Sequence, residues 1–489
     1  MKPFSLGSQG VAALIALMQA VPAGHGLGNF FFFVRAFKRA PEGHASAHSF
    51  GQIGQSFQDF RHVLIAAYVM TALHLLILLS HNAGLREFEA YAVWLIWPFV
   101  LVGLLKARLK PAYFFVGLAL AGCVSGIAGV IDLIGINLHP PEGAFVPNSG
   151  ALRVAGSMSN PLVFGNLSLL FASCCLYLMA VPKAWCKIPQ PEPNWLWLLG
   201  LFLGLLASLL SGTKGGWLAA ALVWPFLLFL VLRHRPLKLF LLTLLVLLLS
   251  FFSAASLPMS SVSDRFVNFY HALTAQVTMT SKVGHDVTAI DPSRASSGNH
   301  GALGGSSQES SNKPSQTSEA VSESVKQPVA HTPAVGIDSS VTPRLVQWRL
   351  AFSETSAERL LIGMPRATFI EMQRQALDSG QAQGLIRPWR NLHNDLIDAF
   401  ITKGIFGLLS LVVFVVLTTR FFYCRLKSEN EQIQSFASLG LLVLAMVAIF
   451  SISDVQLDKG AVTHTLTFLL LTLTALILQH ENELPAHRL

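Results

Sequence analysis

The chain of 489 residues is 52% hydrophobic and only 12% charged, where an ordinary soluble domain carries about a quarter charged residues, and this excludes a conventional soluble enzyme. Apolar stretches of about 18 residues or more recur, each long enough to cross a hydrocarbon core of about 30 Å as a helix. The net charge of +8 lies mostly in short loops, where it reports topology, and no nucleic-acid-binding motif accompanies it.

The pattern predicts an all-α polytopic membrane protein of about 11 or 12 spans. They fall near 9–34, 61–81, 89–107, 111–136, 160–181, 194–211, 215–232, 237–257, 396–419, 433–452 and 461–479. The first contains Pro22, Gly24, Gly26 and Gly28, which make it a broken helix or a hairpin and set the span count. The N-terminus lacks a cleavage site after its apolar run and is expected to remain as an anchor.

Dense basic loops stay cytoplasmic. RAFKR (35–39), KARLK (106–110), KAWCK (183–187), RHRPLK (233–238) and RFFYCRLK (420–427) all fall on one side. The other, external side then carries 82–88, 137–159, the 211–216 turn, 258–393 and 453–460. Cys123, Cys174, Cys175, Cys186 and Cys424 lie in spans or cytoplasmic loops, so no disulfide framework is implied.

The domain pattern is therefore spans over 1–257, a large and mostly helical external segment over 258–393, and the last spans over 394–489. The Ser-, Gly-, Thr- and Gln-rich stretch 281–340 is expected to be disordered. SVSDRFVNFYHALTAQV (261–277) before it and the stretch 342–380 after it look helical. In the latter Thr342 can cap, Pro343 suits the first helical position, and Leu345, Trp348, Leu350 and Phe352 supply an apolar stripe. Arg344 and Trp348, four residues apart, share a face. An amphipathic helix lying on the membrane surface is the competing reading of this stripe.

Three polar groups gather at the external face. In NLHNDLIDAFITKGIFGL (391–408), Asn394 is a good N-cap, and the helix it starts presents free N–H groups and a positive dipole end to that face. His393 stands just outside with a side chain able to accept a proton near neutral pH. Asp395 and Asp398 share a helix face; ionisable residues at such depth mark functional sites by default, although an interfacial cap with Lys403 snorkelling explains the same residues. LLSGTKGGWLAA (209–220) sets Lys214 among small residues whose backbone amides are open to an anion, and a plain tight turn accounts for its glycines equally well. RVAGSMSNPLVFGNLSLL (153–170) enters a span through Asn160 and Pro161 with Arg153 at the same face; a Pro-started helix with a small-residue packing face is the simpler account.

Together these place His393, Lys214, Arg344, Arg153 and Arg265 on one side of the membrane, a base beside a site for a strongly anionic, membrane-borne substrate such as a lipid pyrophosphate. No zinc-type Cys/His spacing, nucleotide-binding Gly-rich loop or Gly-x-Ser-x-Gly accompanies them, so no cofactor and no metal is expected.

NLHNDLIDAFITKGIFGLL resembles the His-Asn…Gly…Gly signature of the O-antigen ligase and polymerase superfamily. RVAGSMSNPLVFGNLSLL and LLSGTKGGWLAA resemble two further motifs of it, and TPRLVQWRLAF with LIGMPRATF resembles the segment that precedes the signature. The resemblance covers about residues 150–419. It implies a GT-C-like, metal-independent glycosyltransferase of the bacterial inner membrane, multi-pass, with its active site facing the periplasm. Its expected partners are an undecaprenyl pyrophosphate-linked glycan donor, a lipid A–core acceptor and membrane lipids. The family's essential His falls on His393 and its pyrophosphate-binding Arg on Arg344, with Arg265 and Arg153 as further cations. Where the family has Arg in the short turn this chain has Lys214, which neutralises a phosphate as a point charge without the bidentate fork.

The implied reaction has His393 take the proton of an acceptor hydroxyl, which displaces the pyrophosphate with inversion; Asp395 or Asp398 orients His393 or is itself the base. An O-antigen polymerase or a protein O-oligosaccharyltransferase shares the signature. A glycolipid flippase or transporter would instead bury charges at mid-membrane in several spans and show internal repeats.

Overall fold

The computed structural model describes residues 6–20, 24–37, 48–82, 85–138, 154–257 apart from 157, 159 and 182–194, then 341–353 and 356–483 apart from 383, 384 and 386. Two compact units divide the chain, Met1–Arg265 with Thr342–Leu489 forming one and Phe266–Val341 the other. The first holds the helices that can cross a membrane; the second, apart from Val341, lies outside the described residues. The expected helix over 261–277, the disorder expected over 281–340, and Arg153 and Arg265 lie outside them too.

Sixteen α-helices and one 3₁₀ turn make up the described residues, with no strand among them. The N-terminal half runs α1 (Leu6–Ala20), α2 (Gly24–Phe37), α3 (His48–Ser80), the 3₁₀ turn (Leu85–Phe88), α4 (Glu89–Leu95), α5 (Trp97–Ala107), α6 (Pro111–Leu138), α7 (Pro161–Ala180), α8 (Trp195–Ser211), α9 (Lys214–His234) and α10 (Leu237–Ser256). Then come α11 (Val341–Ser353), α12 (Ala357–Ile362), α13 (Arg366–Asp378), α14 (Asp395–Arg425), α15 (Glu431–Ser453) and α16 (Gly460–Glu483). The chain is an all-α polytopic membrane protein. Eight helices are long and apolar enough to cross a membrane, and the pair α4 and α5, bent by 54° between them, makes a ninth. The remaining expected spans correspond to shorter helices: α8 has 17 residues, and the first span is two helices of 15 and 14 residues. The second of these turns back against the first, Gly24 lying where an added Cβ would stand 2.4 Å from the Leu17 carbonyl oxygen.

Helices α7 and α16 are buried almost throughout, whereas α10 is largely exposed. Its exposed Leu237, Leu241, Leu245, Leu248 and Phe252 form a stripe at helical spacing suited to lipid. In α16, Thr463, Thr465, Thr467, Thr472 and Thr474 are all buried, small residues that let neighbouring helices approach; the Trp97 indole donates to Thr467 Oγ1 at 2.9 Å.

Helix α14 departs from the continuous span expected over 396–419. Gly404 has φ +66° and ψ −168°, which ends one helical segment, 395–403, and starts another, 405–425. The second segment alone, at about 1.5 Å per residue, is long enough for a core of about 30 Å. The loop after α12 fills the break: Met364 N–H donates to the Ile401 carbonyl at 2.8 Å, and a Cβ on Gly404 would stand 2.2 Å from the Leu361 carbonyl oxygen. His393, Asp395, Asp398 and Lys403 therefore precede the membrane-crossing segment. Asp395, Asp398 and Lys403 belong to a short helix packed on its end, and His393 lies just before that helix's cap.

The two ends of the bundle differ. At one, Lys106 donates to the Ala36 carbonyl, Arg235 donates to the Met179 and Val181 carbonyls, and Arg425 pairs with Glu481 at 3.0 Å, so basic loops close the bundle there. At the other, the 3₁₀ turn, α13, the start of α14 and the 454–459 loop converge.

Candidate active site

The residues around His393 are held by short polar contacts from several elements. Asn394 caps α14, accepting from Leu396 and Ile397 N–H at 3.0 and 3.1 Å, while its amide donates to the Ile452 carbonyl at 3.2 Å. Upstream, Gln373 accepts from Trp389 N–H at 3.0 Å and donates to its carbonyl at 2.9 Å, and Gln347 donates to Gln373 at 3.1 Å. The Trp348 indole donates to the Leu392 carbonyl at 2.7 Å. Between these two anchors His393 takes φ +56°, a left-handed conformation that costs a non-glycine residue about 1–3 kcal/mol and persists where surrounding contacts impose it.

That conformation presents the imidazole to the 454–459 loop. His393 Nδ1 lies 3.2 Å from Asp454 Oδ1, and the Trp389 ring meets the imidazole edge to face with centroids 5.3 Å apart. The other Asp454 oxygen accepts from Gln456 Nε2 at 3.2 Å and from the Lys459 ammonium. Burial by itself raises the Asp454 carboxyl, and the hydrogen bond with His393 and the Lys459 charge outweigh it, holding the group below the ordinary carboxylate value. With Nδ1–H donated to Asp454, Nε2 is left to accept a proton.

Asp395 and Asp398 are buried and face elsewhere. Both oxygens of Asp395 accept the N–H groups of Gln456 and Leu457 at 3.0–3.3 Å, which clamps the backbone of the 454–459 loop. Asp398 accepts from Leu392 N–H at 3.2 Å and from Arg366 at 2.7 Å.

Arg366 joins these parts. Its guanidinium donates to Asp398, Asp458, Asn391 Oδ1 (2.6 Å) and the Arg390 carbonyl (3.2 Å), with Glu87 at 3.8 Å. Burial opposes its charge; Asp398, Tyr91 and Glu87 more than offset that and hold it above its ordinary value. Lys403, for which the sequence offered only snorkelling at an interfacial cap, instead points inward. Its ammonium lies 3.1 Å from Asp458 and 4.4 Å from the Tyr91 ring centroid, and it donates to the Tyr91 hydroxyl, which itself donates to Asp458. The cavity beside Arg366 and Lys403 measures about 20 Å³, room for about one water molecule. These cations are committed to carboxylates.

Of the sequence-derived cations, Lys214 and Arg344 are among the described residues. Lys214 opens α9, and the next residue, Gly215, packs so closely on the end of α15 that a Cβ would meet Ser453 Oγ at 1.8 Å; the glycines of this turn permit helix approach. Gly165 of α7 abuts Ser211 and Thr213 of the same turn, and Asn160 caps α7 from Pro161 onward, accepting from Leu162 N–H at 2.9 Å. Both small-residue motifs thus pack the bundle beneath Asp454. Arg344 stands half-buried on α11, one turn before Trp348. Gln347 and Ala351 of α11 are fully buried against α13 and the 389–392 strand of chain, so α11 is a packed element of this face and not an isolated surface helix.

The sequence reading missed Arg366, Asp454, Asp458, Lys459 and Tyr91. The loop SDVQLDKG was read only as an external connection, yet its two aspartates and lysine in so short a turn between two spans were a signal of the same kind as that in 391–398.

The protein is thus a multi-pass helical membrane protein with an imidazole–carboxylate pair beside a buried ionic network at one end of its bundle. Residues 199–412 match the family model described as O-antigen ligase, a match that supports an O-antigen ligase family assignment. The matched segment reaches from α8 into α14 and contains His393 and Arg366; Tyr91, Asp454, Asp458 and Lys459 lie outside it. The curated proteins contain no match to the chain. The match supports a glycosyltransferase-like function of the general O-antigen ligase and polymerase type, for which lipid-linked glycans are the substrates the family implies.

Proposed function

We propose that the protein is an O-antigen ligase that transfers polysaccharide from undecaprenyl pyrophosphate to a sugar hydroxyl of lipid A–core at the periplasmic face of a bacterial inner membrane. The observation that carries this reading is the His393–Asp454 pair. Asp454 fixes the tautomer, His393 Nε2 takes the proton of the acceptor hydroxyl, and that oxygen forms the new glycosidic bond at the anomeric carbon. The bond to the pyrophosphate oxygen breaks with its electron pair leaving on the phosphate, and direct displacement inverts the centre. The step uses protein groups alone. Arg344, Lys214, Arg265 and Arg153 are the cations assigned to the leaving pyrophosphate, whose developing charge is the quantity that such catalysis must stabilise.

Asp395 and Asp398 serve this reaction as supports of the loop and of Arg366. Purified protein supplied with a lipid-linked glycan and lipid A–core should form ligated product, and His393→Ala should lose it. Transfer by that variant at the wild-type rate would remove His393 from the mechanism. In cells, loss of a ligase leaves lipid-linked polymer to accumulate, whereas loss of a polymerase leaves core capped by one repeat unit.

A further inference from the structure

The cations near His393 are not equivalent. Arg366, Lys403 and Arg390 face Asp398, Asp458 and Glu87, three charges against three, and that network closes on itself. Lys459 is set apart. Among the described residues its ammonium is paired with Asp454, the same carboxylate that orients His393 through its other oxygen. A carboxylate that orients an imidazole also stabilises the imidazolium that forms, and here a lysine shares that carboxylate's charge.

Between the two residues of this pair the loop is pinned, by Asp395 on the N–H groups of Gln456 and Leu457 and by Asp458 within the Arg366 network. The Lys459 side chain lies beyond these anchors and is free of the clamp on the backbone. It is also the more exposed partner, 15% against 5% for Asp454, on a flexible four-carbon stem ending in a point charge.

We propose that Lys459 changes partner during the cycle: it holds Asp454 in the resting protein, and on arrival of a lipid-linked pyrophosphate it moves onto the phosphate, leaving Asp454 to His393 alone. A pyrophosphate carries more charge than a carboxylate and wins the ammonium. The base is then fully supported only when the leaving group is in place, which couples donor binding to the proton-accepting pair. This rests on the reading of the site as a pyrophosphate-releasing transferase.

The test is binding of undecaprenyl pyrophosphate to the purified full chain in detergent, with inorganic pyrophosphate as the headgroup control, beside turnover with the glycan donor. Lys459→Met should weaken lipid binding about tenfold, and Lys459→Arg should stay within about threefold of wild type. Asp454→Asn removes the resting partner, so it should tighten binding by about threefold or more while turnover falls. In the Lys459→Met background that tightening should vanish. Tightening that persists without Lys459 reports a general field effect and overturns the exchange, as does Asp454→Asn binding no tighter than wild type. If Lys459→Met does not fold, Lys459→Gln takes its place. Wild-type protein that transfers no glycan overturns the functional reading itself, whereas wild-type transfer with the variants in the wrong order overturns the exchange alone.

Discussion

His393 and Asp454 stand 61 positions apart in the chain and 3.2 Å apart in space, Nδ1 to Oδ1. The left-handed backbone at His393 and the clamp of Asp395 on the 454–459 loop bring them together. If the pair acts as a unit, His393→Ala should lower transfer by about 10²–10⁴-fold. Asp454→Asn should cost a large part of that, and the double variant little more than His393→Ala. Multiplying losses in the double variant would show that the two act separately.

The direction of the Asp454 shift fixes its pH window. Its carboxyl is held below the ordinary value, so its stabilising contribution is present above an unfolded value of about 3.9 and is lost only as pH falls through the lower folded value. Asp454 should therefore stay ionised across pH 5–8, and any acid loss of transfer within that range comes from another group. A carboxyl resonance of Asp454 that titrates between pH 5 and 8 in detergent would contradict this.

Local structure around the site was legible in the sequence, and its long-range partners were not. The Asn394 cap and the Asn160–Pro161 start follow from side chains that satisfy neighbouring N–H groups, so spacing alone reveals them. Asp454 and Tyr91 reach the site only through tertiary packing, which no local pattern encodes. Arg366 sat inside LIGMPRATF unremarked because one arginine in an amphipathic stretch reads as a solvated face. The break at Gly404 was hidden for a related reason. Apolar residues continue on both sides of it, and a glycine within a helix costs only about 1 kcal/mol, so the run reads as one span until the φ of +66° is seen.

Arg366 is buried among Asp398, Asp458, Asn391 and the Arg390 carbonyl. Removing one partner of a buried ionic group leaves the others uncompensated, a loss of about 3–5 kcal/mol. Arg366→Ala should markedly lower the unfolding midpoint in detergent. Arg366→Lys should recover only part of it, because a point charge cannot span the fork of acceptors. Equal midpoints for wild type and Arg366→Ala would mean that the network does not stabilise the fold.

Gly404 has no room for a side chain, since a Cβ would stand 2.2 Å from the Leu361 carbonyl oxygen and its φ is positive. Gly404→Ala should destabilise by more than the roughly 1–3 kcal/mol of backbone strain and lower the amount of folded protein recovered. Gly10, with open space around it, supplies the control: Gly10→Ala should be close to neutral. Similar recovery of the two variants would place the break elsewhere.

Asp395 separates a base from a clamp. Its oxygens accept the N–H groups of Gln456 and Leu457 and it is buried, so its effect on transfer is expected to pass through the position of Asp454. Asp395→Asn keeps one carbonyl oxygen able to accept from those N–H groups and should retain measurable transfer, at a loss of about tenfold, together with a lower unfolding midpoint. Asp395→Ala leaves both N–H groups unpaired and should lose more of each. A general base behaves differently, because its amide variant cannot take the proton and would fall as far as His393→Ala with its midpoint unchanged. Comparing transfer rate and midpoint across Asp395→Asn, Asp395→Ala and His393→Ala therefore assigns the proton to one residue, and Asp395→Asn as inactive as His393→Ala in a fully stable protein would move it to Asp395.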